Sequence, residues 1–236
     1  MDSRGMAVTR EEAAWGVPAP LHAEPRWPAS LAVLTALALY VGLPEKLILL
    51  PVLRWLVPAL ELAVVIPLTI VAPHRERDEP RWQRYTAVAL IALINAVNVL
   101  SLALLVHELL QGKANGTAIS GGQLLFSSIL IWLTNVIVFA LWYWELDRGG
   151  PDERGHPAHR APDFLFPQMM TPHCAPGRWA PSFMDYLYVS FTNATAFSPT
   201  DTMPLTPWAK ALMTIQALAS LLTIALVAAR AVNILG

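Results

Sequence analysis

Hydroxyl, amide and carboxylate oxygens are concentrated in a short stretch near the C-terminal end of the chain. They belong to Thr192, Asn193, Thr195, Ser198, Thr200 and Asp201. Where such side chains from several subunits meet around an axis, they can line a pore, and a ring of aspartates is a common device of weakly selective cation pores. Asp201 is therefore a candidate for an acidic ring. The run Thr200-Asp201-Thr202 also suits a turn, in which Asp201 would instead cap the loop.

The neighbouring residues predict the elements that position this stretch. Phe183 to Thr195 is aromatic and apolar, and as a helix it would cover about half the thickness of a bilayer. Ala196 to Thr206 contains two prolines and is predicted to be a loop. Pro207 opens an apolar run to the end of the chain, long enough to span a membrane. Half-helix, loop and full helix is the layout of a pore segment, in which protein or a water-filled cavity covers the irregular backbone.

The second half of the loop and the start of the last helix resemble the stretch that follows the selectivity filter of tetrameric potassium channels. In those channels an aspartate is followed by proline three residues later, then threonine, an aromatic residue and a basic residue. The matching positions are Asp201, Pro204, Thr206, Trp208 and Lys210. The filter sequence of those channels, TVGYG, would then fall on Ala196, Phe197, Ser198, Pro199 and Thr200.

The filter glycines of potassium channels are missing here. Ser198 and Thr200 occupy their positions, and a β-branched threonine strongly disfavours the positive φ that glycine reaches easily. Pro199 also fixes its own φ and restricts Ser198 before it. We therefore expect no ring of inward-pointing carbonyls and no potassium-selective pore.

From roughly Ala29 to Gly236 the chain resembles a family of small bacterial inner-membrane proteins. Members of that family pair four or five membrane helices with a potassium-channel-like C-terminal pore segment that lacks the filter glycines. The resemblance implies an all-α membrane protein with about five transmembrane helices, plus a re-entrant pore half-helix and loop before the last helix. It implies an architecture rather than an activity.

Composition excludes several functional classes. Of 236 residues, 55% are hydrophobic and 14% are charged, which predicts a multi-pass membrane protein with the lipid bilayer as its partner. The resemblance implies that this membrane is the bacterial inner membrane. A net charge of −1 gives no basic surface for nucleic acid. We find no nucleophile–base pair, phosphate loop or HExxH motif, so we expect no enzyme and no cofactor. His156, His159, His173 and Cys174 are scattered in a proline-rich loop, where we expect solvent rather than a metal.

The apolar runs and their breaks divide the chain into four regions. Residues 1–28 are predicted to be a disordered or surface-lying tail, 29–144 a four-helix membrane region, 145–182 a Pro/Gly-rich polar loop, and 183–236 the pore-like unit. The four membrane runs are Ala29–Leu43, Leu47–Ala72, Tyr85–Leu110 and Ala118–Trp144. The first is short for a span, and the break after it is predicted to be a tight turn or a re-entrant or interfacial helix.

Arg54 and Glu61 are intramembrane charges on the second run. They are seven residues apart and hence on one helical face, about two turns from each other. As a pair they would form a proton or ion relay. Alternatively, Arg54 extends to the membrane interface while Glu61 binds a neighbouring helix for structural reasons.

The distribution of arginines predicts the orientation in the membrane. The segments 73–84 and 145–182 hold Arg75, Arg77, Arg81, Arg84, Arg148, Arg154, Arg160 and Arg178. The turn between the intervening spans holds only Lys113, so the positive-inside rule puts the arginines in the cytoplasm. The pore segment would then enter from the cytoplasm, as in ionotropic glutamate receptors and opposite to potassium channels.

Together these features predict an oligomeric, channel-like membrane protein, a homotetramer that passes ions or small polar solutes with low selectivity. Two alternatives remain open. One is a non-conducting membrane scaffold that uses the channel fold to oligomerise, and the other is a proton-coupled transporter that uses Glu61 and Arg54.

Overall fold

The protein is described by a computed structural model that covers residue 25 and residues 27–71, 81–111, 120–154, 160–171, 179–195 and 201–235. Within these ranges the chain is mostly helical. The longer helices are α1 (Trp27–Val41), α2 (Leu53–Val71), α3 (Arg81–Gln111), α4 (Gly121–Leu146), α7 (Phe183–Thr195) and α8 (Pro207–Leu235). The shorter elements are α5 (Pro151–Arg154), α6 (Pro167–Met170), the strands β1 (Phe164–Leu165) and β2 (Met203–Pro204), and the 3-10 helices Glu45–Leu47 and Asp147–Gly149.

Three of these helical segments are long and apolar enough to cross a membrane. In the described part of the chain they are Trp82–Leu110, Gly121–Gly149 and Pro207–Ala228. Helix α1 is equally apolar in character but has 15 residues, as its short apolar run predicts. A mostly helical chain with several such helices is what a multi-pass membrane protein requires, and the predicted helical membrane class is confirmed at this level.

The break after α1 is longer than the sequence predicts. Helix α2 begins at Leu53 rather than at Leu47, and Glu45–Leu47 forms a 3-10 helix instead. Pro51 accounts for the difference, because its ring disfavours helical angles at Leu50, the residue before it. The N–H of Arg54 accordingly bonds the carbonyl of Pro51 at 3.2 Å, within the turn that starts α2.

Helix α4 is the centre of the fold and packs against α1, α3, α7 and α8. Its C-terminal half supplies Val138 to Trp144 to one buried apolar cluster. Its N-terminal half supplies Leu124, Leu130 and Ile131 to a second cluster. Of the three candidate membrane spans, the one that contains α4 is the most buried, because the other helices pack around it.

Helices α7 and α8 both start at the C-terminal end of α4 and run back along it. On α7, Phe183 packs edge-on against Trp144 with ring centroids 5.9 Å apart, and Phe191 packs edge-on against Trp132 at the same separation. On α8, Ser220 accepts a hydrogen bond from the amide of Asn135 at 2.9 Å. Both helices are therefore antiparallel to α4.

The segment after α4 is more ordered than a polar loop without helical periodicity suggests. Among its described residues it forms α5, β1 and α6, and β1 pairs antiparallel with β2, with Phe164 opposite Pro204. Strand β2 lies between α7 and α8, so the segment 160–171 contacts the C-terminal part of the predicted pore loop.

Candidate functional site

A buried hydrogen-bond network at Gln216 ties α7 to α8 and α4. The Oε1 atom of Gln216 accepts from the Tyr143 hydroxyl at 2.5 Å and from the Asn193 amide at 2.7 Å. The Nε2 atom of Gln216 donates to the Ser190 hydroxyl at 2.6 Å and to the Ser190 carbonyl at 3.0 Å. Ser190 in turn donates to the Val136 carbonyl at 2.6 Å. Both the oxygen and the nitrogen of the Gln216 side-chain amide have partners. These hydrogen bonds therefore hold the C-terminal half of α7 against α8 and α4.

Of the polar residues predicted to line a pore, some turn toward the interior of the protomer. Asn193 points into the protomer, where it also donates to the Met213 carbonyl at 2.9 Å. The hydroxyls of Thr192 and Thr195 bond carbonyls of their own helix, one turn earlier, at 2.9 Å. Asp201 is exposed. The filter-like residues Ala196, Phe197, Ser198, Pro199 and Thr200 lie outside the described residues.

Asp163 holds the end of the loop that leads into α8. Its Oδ1 atom accepts from the indole N–H of Trp208 at 2.9 Å, and its Oδ2 atom accepts from the backbone N–H of Arg148 at 2.7 Å. Its carbonyl accepts from the backbone N–H of Leu205 at 2.8 Å. One buried residue thus joins the end of α4, the chain after β2 and the first turn of α8.

Asp147 anchors the start of α7 to the end of α4. Its Oδ2 atom accepts from the Tyr186 hydroxyl at 2.5 Å, and its Oδ1 atom accepts from the backbone N–H of Asp163 at 2.9 Å. Arg154 donates to the carbonyl of Trp144 at 2.6 Å and stacks on the ring of Tyr186 at 5.2 Å. The arginine therefore satisfies a carbonyl that the end of α4 leaves open.

The backbone turns sharply where α4 ends. Arg148, Gly149 and Gly150 have φ values of 55°, 89° and 108°. A Cβ at Gly150 would lie 2.9 Å from the carbonyl oxygen of Glu145, closer than real contacts allow. Glycine is therefore required at this position both for its backbone angle and for the space it leaves.

The two ends of the loop lie at different levels along α4. The contact of Phe191 with Trp132 puts the end of α7 about 20 Å from the C-terminal end of α4. The contact of Trp208 with Asp163 puts the start of α8 beside that C-terminal end. Met203 and Pro204 already lie beside this end, since they pair with Leu165 and Phe164, and the backbone N–H of Phe164 donates to Asp147.

The structure gives Arg54 and Glu61, the candidates for a relay pair, different surroundings. Arg54 donates to the carbonyls of Val41 and Leu43 at the end of α1, and it lies 3.6 Å from the carboxylate of Glu45. Glu61 is fully buried, and neither of its carboxyl oxygens has a hydrogen-bond partner among the described residues. The two side chains thus have separate environments.

Sequence reasoning missed Gln216, Tyr143 and Asp163 as members of the site. Gln216 is an amide within an apolar run, a signal that could have marked it. Tyr143 belongs to an aromatic group that we interpret as a membrane-interface belt, and its partner is 73 residues away. In the part of the chain that the structure describes, no three His, Cys, Asp or Glu side chains converge on a metal position.

We compared the chain with models of protein families, with curated proteins and with solved structures, and none of the three comparisons found a match. What the protein does must therefore be inferred from its residues and from their arrangement.

Proposed function

We propose that the protein is an oligomeric, channel-like membrane protein in which α7, the loop and α8 form a re-entrant pore unit. Ions, cations above all, or small polar solutes would pass with low selectivity along an axis shared by several copies. By its resemblance to tetrameric channels, the oligomer would have four copies.

The main support is the different depth of the two ends of the loop. Helix α7 has 13 residues, about 20 Å, and ends well inside the length of α4, whereas α8 starts again at the end of α4. A chain that enters a bilayer, stops partway and returns leaves backbone polar groups without helical partners. Such groups need shelter from lipid, which neighbouring copies around an axis would supply.

The chemistry of the loop supports weak rather than strong selectivity. Asp201 is exposed on the protomer and is available for an acidic ring in an oligomer. Its alternative role, capping the loop, would leave a pore possible but without that ring. The Asp201→Asn variant distinguishes the two roles.

Flux into liposomes tests the proposal. Purified protein is reconstituted, and the uptake of monovalent cations and of anions is measured over a range of voltage and pH. We expect cation uptake in the wild type, and a lower preference for cations over anions in Asp201→Asn. Glu45→Gln is the matched control, since Glu45 is an exposed carboxylate near the opposite end of α4 and should leave that preference unchanged. The absence of flux at every voltage and pH, together with a sealed axis, would refute the proposal.

A non-conducting scaffold is the second candidate, and the hydrogen bonding of α7 favours it. The Asn193 amide bonds Gln216, and the hydroxyls of Thr192 and Thr195 bond their own helix, so these groups are already satisfied within one protomer. A scaffold would form the same stable oligomer in liposomes and would pass no ion or solute.

A further inference from the structure

Glu61 is a buried acid in an apolar setting. It lies near the middle of α2, with an exposed fraction of 0%, and Val57 and Val65, one turn away on either side, are also buried. Both carboxyl oxygens of Glu61 are without a hydrogen-bond partner in the described residues. An ionised carboxylate in such a place loses its hydration without compensation, at a cost of several kcal/mol or more.

Within the described parts of α1, α3 and α4, the stretches at the level of the membrane core hold no charge that could face Glu61. Helix α1, against which α2 packs, has Tyr40 as its only ionisable side chain. The stretches 86–106 of α3 and 121–142 of α4 contain no Asp, Glu, Lys, Arg, His, Cys or Tyr. On α2 itself, Arg54 is engaged by the carbonyls at the end of α1 and by Glu45.

A small cavity lies one turn along α2 from Glu61. A cavity of about 10 Å³ is lined by Val57, one turn from Glu61, and by Tyr40, Asn98, Ser101 and Thr134. Its volume accommodates about one water molecule, whereas a carboxylate needs several hydrogen bonds. The neutral acid, in contrast, has only one proton to donate and is far less costly to bury.

We propose that Glu61 is a proton-binding site within the membrane region, with its carboxyl group protonated at neutral pH. The ligand is the proton alone, and the site lies on α2, which is not part of the α7–loop–α8 unit. The proton removes the charge that would otherwise oppose the packing of α2 on α1. The proposal is independent of conduction, so it can hold for a channel or for a scaffold.

Infrared spectroscopy of the reconstituted protein tests this site directly, because a protonated carboxylic acid has a C=O stretching band that a carboxylate lacks. A solvated glutamate, which titrates near about 4.3, loses its protonated fraction roughly eightyfold between pH ~5 and pH ~7. The Glu61 band should instead persist at pH ~7, where the band of a solvated glutamate has nearly vanished. It should shift when glutamate is labelled with carbon-13, and it should be missing in Glu61→Gln.

Two variants make the assignment specific. Asp201→Asn should retain the band, since Asp201 is exposed and distant in sequence. Glu61→Asp keeps an acid at the position, so in labelled protein its band should lose the isotope shift even if Glu61→Gln does not fold. The proposal is overturned if labelled wild type has no glutamic acid band at pH ~7, or if that band persists unchanged in either Glu61 variant.

Discussion

Replacing Gln216 by methionine should weaken the attachment of the C-terminal half of α7 to α8 and α4. Methionine has nearly the same length and volume as glutamine, so the change removes the amide and little else. Gln216 makes four hydrogen bonds, to Tyr143, Asn193 and twice to Ser190, and it is completely buried. Its loss therefore leaves a buried tyrosine hydroxyl and part of an asparagine amide without their partner.

The expected loss of stability follows from these four bonds. Hydrogen bonds between membrane helices contribute about 0.6 kcal/mol each on average, and those in soluble proteins about 1 kcal/mol. Four bonds give about 2 to 4 kcal/mol, and any uncompensated donor left behind moves the value toward the upper end. The free energy of unfolding, measured by reversible denaturation in mixed micelles, should fall by this amount.

Thr214→Val is the matched control on the same helix. Thr214 is exposed, and its hydroxyl bonds the carbonyl of Lys210 on α8 itself at 2.8 Å, so its removal should change stability by less than about 0.5 kcal/mol. If Gln216→Met is as stable as Thr214→Val, the network at Gln216 does not hold α7, and our account of how the pore-like unit is positioned is wrong.

Two further variants, at Asp163 and Gly150, test the contacts at the C-terminal end of α4, where α8 begins. Asp163→Ala removes the acceptor of the Trp208 indole N–H and of a backbone N–H, and we expect a loss of about 2 to 4 kcal/mol in the free energy of unfolding together with increased tryptophan solvent exposure by fluorescence quenching. Gly150→Ala puts a Cβ 2.9 Å from the carbonyl oxygen of Glu145 at a φ of 108°, and it should lower stability by about 1 to 3 kcal/mol in the same denaturation assay. Gly122→Ala, where a Cβ has no neighbour within 4 Å, should be neutral or slightly stabilising, and equal effects of the two glycine variants would contradict the assigned strain.

The longer helices could be predicted from the sequence because each one is an apolar run bounded by prolines, glycines or charges, whereas the four-residue helices α5 and α6 lie in a segment predicted to be a loop. The predicted segment Phe183 to Thr195 coincides with α7, and Pro207 is the first residue of α8. The start of α2 was missed by six residues, since the restricting effect of Pro51 on Leu50 outweighs the apolar run around it.

The polar contacts between helices could not be predicted in the same way. The partners Asn135 and Ser220 are 85 residues apart, and no periodicity relates them. Arg148 and Arg154 illustrate a second limit, because their charge enters the prediction of orientation while the structure buries both against the end of α4. Which polar residues meet is decided by tertiary packing, which a single sequence does not show.

The position of residues 196–206 in the assembled protein decides whether α7, the loop and α8 form a re-entrant pore unit. Electron cryomicroscopy of the oligomer in lipid nanodiscs gives its symmetry, the radius along its axis, and the depth of these residues relative to the bilayer. We expect a closed ring of copies with the end of α7 and residues 196–206 within the hydrocarbon layer, around the common axis. A monomer, or a ring in which these residues lie in open water as a connector between α7 and α8, would contradict it.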